Sequence, residues 1–155
     1  MPDHMGMGKS GRPPFPPPYR LAQHVENLER LVLRLDLREL TLVLHDWGGP
    51  IGLGVAARHP ERIARLVLMN TWAHAPWPGA PFPRLVEQFV LEKNGYVAVL
   101  LLWGMQDPVL PPTVLARWHA TYPRAEVCEI RDASRFLQED APENVLDCLT
   151  AFLRP

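Results

Sequence analysis

Cysteine is scarce here: the 155-residue chain holds two, Cys128 and Cys148. With no Cys-x-x-Cys spacing and no second pair, they exclude a zinc site or a disulfide framework. Both are read as small buried side chains in a reducing compartment. Charge of one sign is equally scarce, because 16 Lys and Arg stand against 17 Asp and Glu for a formal net charge of −1. Such a chain has no field to draw nucleic acid or anionic lipid. No run approaches the roughly eighteen apolar residues of a membrane span, and the polar start lacks the apolar core of a secretory signal. The expectation is a cytoplasmic protein with no nucleic-acid or membrane partner. Internal repeats are also missing.

Proline, by contrast, is abundant, with 18 residues, and it punctuates the chain. Pro13, Pro14, Pro16, Pro17 and Pro18 forbid regular structure, so residues 1–18 are expected to form an extended lead-in. Residues 19–155 then form one domain. Leu21, Val25, Leu28, Val32 and Leu35 recur at spacings of four and three, which predicts a helix with one apolar stripe packed on a sheet. Leu40 to Leu44 is a short continuous apolar run, as in a parallel strand covered on both faces. A helix follows from about Pro50 to Arg58, and a second strand from Ile63 to Met69.

Residues 73–96 form a Pro-rich linker in which Arg84 to Leu91 is a candidate short helix and Asn94-Gly95 a turn. A third strand spans Val97 to Trp103. Pro111-Pro112 opens a helix carrying Val114, Leu115, Trp118 and Tyr122, and a fourth strand spans Ala125 to Ile130. Pro142 begins a last helix whose apolar face is Val145, Leu146, Leu149, Phe152 and Leu153. Strands alternating with helices predict an α/β fold of about four parallel strands in a three-layer α/β/α arrangement.

Two motifs invite chemistry. Gly8-Lys9-Ser10 has the end of a phosphate-binding loop, but Asp3 stands where that loop needs glycine, and no strand precedes it. Nucleotide binding is therefore excluded. His45-Asp46-Trp47-Gly48-Gly49 lies between an apolar strand and a helix, the order of a nucleophile elbow, with aspartate in place of serine. Asp46 alone is an ordinary turn or N-cap residue. Its company points instead to an exposed carboxylate able to attack carbon.

The elbow resembles that of the haloalkane dehalogenases, α/β-hydrolases that use an aspartate nucleophile. The likeness extends to the loop Asp3-His4-Met5-Gly6-Met7-Gly8-Lys9-Ser10-Gly11-Arg12-Pro13, to Leu68-Met69-Asn70-Thr71-Trp72, to Trp103-Gly104-Met105-Gln106-Asp107-Pro108 and to Phe136-Leu137-Gln138-Glu139-Asp140-Ala141-Pro142-Glu143. It implies a partial α/β-hydrolase fold with Asp46 as nucleophile, Trp47 as a halide-binding indole and Asp107 as the acid of the triad. Neither cofactor nor metal is implied. The substrate would be a small apolar halogenated molecule, from whose carbon Asp46 displaces halide to give an alkyl ester that a His-Asp pair then helps water to hydrolyse.

Three departures qualify that expectation. Ser134-Arg135 occupies the place of the family's Gly-His, and Arg135 has no acceptor atom and stays protonated, so it cannot be a general base. His45 faces the other side of a usual elbow, His59 and His119 lie at or near helix surfaces, and His74 lies in the linker. The family's strands before the Asp-His-Met-Gly loop, with the turn that completes the anion site, are expected to be missing, so the chain resembles an N-terminally truncated member. The cap is expected to be shortened to residues 73–96.

The sequence therefore predicts a dehalogenase-like hydrolase whose turnover is weak or absent. An epoxide hydrolase, which shares His-Asp-Trp-Gly-Gly, is the alternative enzyme. A non-catalytic fragment that binds a partner or itself through an exposed sheet edge is the alternative of another class. Asp107 and Arg135, if neighbours, form an ion pair that is structural.

Overall fold

The computed structural model describes residues 2–13, 19–72 and 97–154. The linker expected over 73–96, its candidate helix, His74 and the prolines from Pro14 to Pro18 lie outside the described residues.

Helix α1 (Leu21–Arg34) leads to β1 (Leu40–Asp46), α2 (Gly48–Arg58) and β2 (Ile63–Thr71). After the linker come β3 (Ala98–Gly104), α3 (Pro112–Thr121), β4 (Glu126–Ile130), a single turn α4 (Leu137–Asp140) and α5 (Pro142–Leu153). The strands form one parallel sheet in the order β1-β2-β3-β4. The predicted α/β class, four parallel strands and flanking helices are all present.

Strand periodicity divides the core between two faces. Leu44, Leu66, Leu68, Val99, Leu101 and Trp103 point to one, where Leu53 and Ala56 of α2 and Leu115, Trp118 and the nearby Tyr122 cover them. Val67, Met69, Leu100, Leu102 and Ile130 point to the other, beneath Leu137, Val145 and Phe152. Burial pushes the Tyr122 phenol well above its usual range.

Helix α2 is buried on nearly every side, from Gly49 to Ala56, because it lies between the sheet and α1. The stripe of α1 thus packs mainly on α2 through Val25, Val32 and Val55, with Leu40 of the sheet packed against the same cluster. Gly54 allows this approach, since a Cβ there would lie 2.8 Å from Val25. Leu35 falls just past the helix and is exposed. Glu29 on α1 accepts from Arg58 at 2.6 Å and pairs with His59 at 2.7 Å, fixing the two helices together. Burial works against ionisation of Glu29, but these partners outweigh it and lower its carboxyl pKa.

Three expectations need correction. Cys128 in β4 and Cys148 in α5 are joined as a disulfide with their Cα atoms 6.5 Å apart, because the chain after β4 turns back and packs α5 against it. On α5, Leu146 and Leu153 are exposed, and the buried face is Val145 and Phe152 with half-buried Cys148 and Leu149. Residues 2–13 fold into turns rather than an extended lead-in, with Met7 N–H bonded to His4 O at 2.8 Å and Lys9 N–H to the Asp3 carboxylate at 2.9 Å.

Candidate active site

The strand β1 runs on through His45 and ends at Asp46, whose φ of +48° lies in the left-handed region. For an aspartate that conformation costs about 1 kcal/mol, so neighbouring contacts must hold it. Thr71 supplies one: its hydroxyl donates to the Asp46 carbonyl at 2.6 Å. Gly49 supplies the room, since a Cβ there would overlap that same hydroxyl. Trp47 then turns into helical backbone and α2 begins. The Asp46 side chain is left 29% exposed at the end of the sheet.

Asp107 sits beyond β3 with its side chain wholly buried. Its Oδ1 accepts from the Val109 and Leu110 N–H groups at 2.8 and 3.0 Å, and its Oδ2 accepts from Asn70 Nδ2 at 3.1 Å. Burial alone would raise its pKa. The Leu110 and Val109 N–H groups, then Asn70 and Arg135, outweigh that and hold the carboxyl below its usual range.

Arg135 reaches both carboxylates. Its Nε lies 3.4 Å from Asp107 Oδ2 and its Nη1 lies 3.7 Å from Asp46 Oδ1. The anticipated pairing of Arg135 with Asp107 is therefore present, and Arg135 also faces Asp46. Its backbone is pinned from below. Its carbonyl is 2.8 Å from His45 Nε2, which must carry the proton because the carbonyl can only accept. His45 thus spends that nitrogen on the Arg135 segment, and its ring lies beside Phe136.

Trp47 is half exposed, and its ring meets buried Trp72 edge to face at 5.1 Å between centroids. His59 is engaged with Glu29, and His119 is exposed on α3. Among the described residues no three His, Cys, Asp or Glu side chains gather into a metal cluster, and no helix is long and apolar enough to cross a membrane.

Sequence reasoning gave Asn70 no role, yet it is fully buried and braces the site. Its Nδ2 donates to Gly104 O as well as to Asp107, and its Oδ1 accepts the Gly104 N–H at 2.7 Å. The available signal was a polar side chain ending a buried apolar strand. Thr71 carried the same signal.

The α/β-hydrolase fold family matches residues 1–98 of the chain. A cis-3-alkyl-4-alkyloxetan-2-one decarboxylase of Shewanella oneidensis is 29% identical over 230 residues, covering 99% of this chain and 72% of that protein. That alignment is longer than the 155-residue chain, so the relative carries internal segments that this chain lacks. Haloalkane dehalogenase 1 of Mycobacterium tuberculosis is 42% identical over 82 residues, 53% of this chain and 27% of its own length. The crystal structure of haloalkane dehalogenase DatA from Agrobacterium tumefaciens superposes with a TM-score of 0.82 at 20% identity, covering 97% of this chain and 78% of that one. At that identity it speaks for the fold alone. By these likenesses the chain belongs to the α/β-hydrolase fold family, with haloalkane dehalogenases among its relatives.

Proposed function

We propose that Asp46 is an alkylatable nucleophile of the haloalkane dehalogenase type, and that hydrolysis of its ester is blocked at Arg135. The observation that carries this reading is the strained backbone of Asp46 at the tip of a parallel strand, with its carboxylate left accessible. Strain of this kind persists only where surrounding contacts enforce it, and it concentrates at functional sites. In-line attack by an Asp46 oxygen on a halogenated carbon forms the C–O bond as the carbon–halogen bond breaks, and the electron pair leaves with the halide. Trp47, adjacent to the nucleophile, offers an indole N–H to that ion. Water attack on the ester then requires a base. A guanidinium supplies none.

The test is the intact mass of the chain after incubation with 1-bromobutane, with Asp46→Asn as the blank. One butyl adduct confined to the unsubstituted chain is the expected result. An unchanged mass would remove the dehalogenase-type reading and, without alkene release from an oxetan-2-one, favour a non-catalytic role through the open edge of β1.

A second reading, decarboxylation of an oxetan-2-one, is favoured by the two relatives of that name matched along 99% of this chain. Asp46 would open the ring at its saturated C–O carbon, giving an ester and a free carboxylate. Loss of CO2 would then send its bonding pair into a new C=C bond and expel Asp46 as carboxylate. Neither step consumes water or moves a proton, so arginine at the base position does not stop the cycle. Release of an alkene from a cis-3,4-dialkyl-oxetan-2-one would establish this reading. Its absence from a chain that bromobutane alkylates would reject it.

A further inference from the structure

We infer that Arg135 selects the leaving group at Asp46, favouring alkylating substrates that depart as a carboxylate over those that depart as a halide. The inference rests on Asp46 being the nucleophile, as proposed above.

A guanidinium carries five N–H donors in one plane. Those of Arg135 meet Asp107 at 3.4 and 3.5 Å and Asp46 at 3.7 Å. All three exceed the roughly 2.7–2.9 Å of a charge-assisted N–H···O bond. Nor does Asp107 depend on Arg135, since Val109, Leu110 and Asn70 already donate to it at 2.8 to 3.1 Å. The side chain is only 23% exposed, so among the described residues its Nη donors lie beside the nucleophile without a close acceptor. The segment that carries it is fixed. His45 holds its carbonyl, Ser134 N–H bonds the Asp140 carboxylate at 2.8 Å, and Gln106 N–H bonds Ala133 O at 2.9 Å.

A planar fork of donors matches a carboxylate, which accepts on two oxygens, better than a spherical halide. The reaction chemistry agrees. When an Asp46 oxygen attacks the saturated C–O carbon of a β-lactone, the new C–O bond forms as the ring C–O bond breaks. The electron pair stays on the ring oxygen, which becomes part of a carboxylate tethered to the Asp46 ester. No proton moves. Negative charge leaves Asp46 and reappears on the tethered carboxylate, so Arg135 faces one exchangeable anion throughout. A halide would carry that charge away and leave the guanidinium unmatched.

The test compares two reagents on the full chain, β-propiolactone and 1-bromobutane. Peptide mapping follows adduct formation at Asp46, with Asp46→Asn as the blank, in the unsubstituted chain, Arg135→Gln and Arg135→Lys. The readout is the ratio of the lactone rate to the bromobutane rate within each chain, which does not depend on the fraction folded. Arg135→Gln is expected to lower the ratio about tenfold, as loss of one charge-assisted contact implies, and Arg135→Lys to lower it less. An unchanged ratio in Arg135→Gln would overturn the inference. So would bromobutane labelling of Asp46 with neither lactone labelling nor release of ethylene from the lactone, which leaves the nucleophile reading intact. If neither reagent labels Asp46, both fall together.

Discussion

The elbow at the tips of β1 and β2 and the Ser134-Arg135 segment beyond β4 lie at the same, C-terminal, end of the parallel sheet. They have diverged differently from the pattern they resemble. At the elbow every device is in place: a left-handed aspartate, a hydroxyl bonded to its carbonyl, and a glycine that makes room for that hydroxyl. At the second region the backbone is docked just as firmly, with Gly104 pressed against Ser134 O and His45 bonded to Arg135 O. What this segment presents to Asp46 and Asp107 is a guanidinium, which has no acceptor atom and shuttles no proton. On the proposed reading, a segment keeps its seat whatever its chemistry, because packing fixes the backbone and a single side chain would supply the base.

Breaking the seat of the second region should cost most. Gly104→Ala drives a Cβ into the Ser134 carbonyl oxygen, a backbone atom that cannot rotate away. Overpacking there is expected to cost about 3 kcal/mol, a fall of roughly 10 °C in melting temperature. A melting curve within 2 °C of the parent would show that the segment is loosely held. Reducing the Cys128–Cys148 bond, which closes a span of 20 residues containing Arg135, is expected to cost nearly as much, about 3 kcal/mol in the chain-entropy account. Thermal melts with and without reductant, and with Cys148→Ser, measure it.

Acid probes the buried carboxylate of Asp107. The folded-state pKa of Asp107 lies below its unfolded value of about 3.9. Its contribution is therefore fully present above that pH and lost as pH falls through the lower folded value. Denaturant midpoints taken from about pH 5 to pH 2 should decline more gently in Asp107→Asn than in the parent. Identical slopes would mean that Asp107 is not held as an anion. The smallest expected effect has the opposite sign. Asp46→Gly relieves the backbone strain and should raise stability by about 0.5 kcal/mol, after the added freedom of glycine in the unfolded chain is set against it. The same variant should lose all adduct formation. Lower stability would indicate that Asp46 is unstrained.

Strands β2 and β3 were legible because parallel strands buried on both faces are continuous apolar runs; β1 and β4, edge strands with Val43 and Val127 exposed, were legible from their place in the alternation of strands and helices, and the elbow because strand, aspartate and paired glycines fall in one order. The adjacency of Arg135 and Asp107 followed from the resemblance, since residues 28 apart are not linked by any local periodicity. What remained hidden depends on tertiary placement. The pairing of Cys128 with Cys148 requires α5 to lie over β4, and the exposure of Leu146 and Leu153 depends on which arc of α5 faces the sheet. Asn70 carried only the weak signal of a polar strand end, and its three bonds to Gly104 and Asp107 exist only once β2 and β3 are side by side.

The most direct measurement of the central claim is the bromide released per chain during long incubation with excess 1-bromobutane. A built elbow without a base predicts release that stops at one bromide per chain, with the butyl group retained on Asp46. Release that continues steadily past one would contradict it, because some other group would then be activating water at this site.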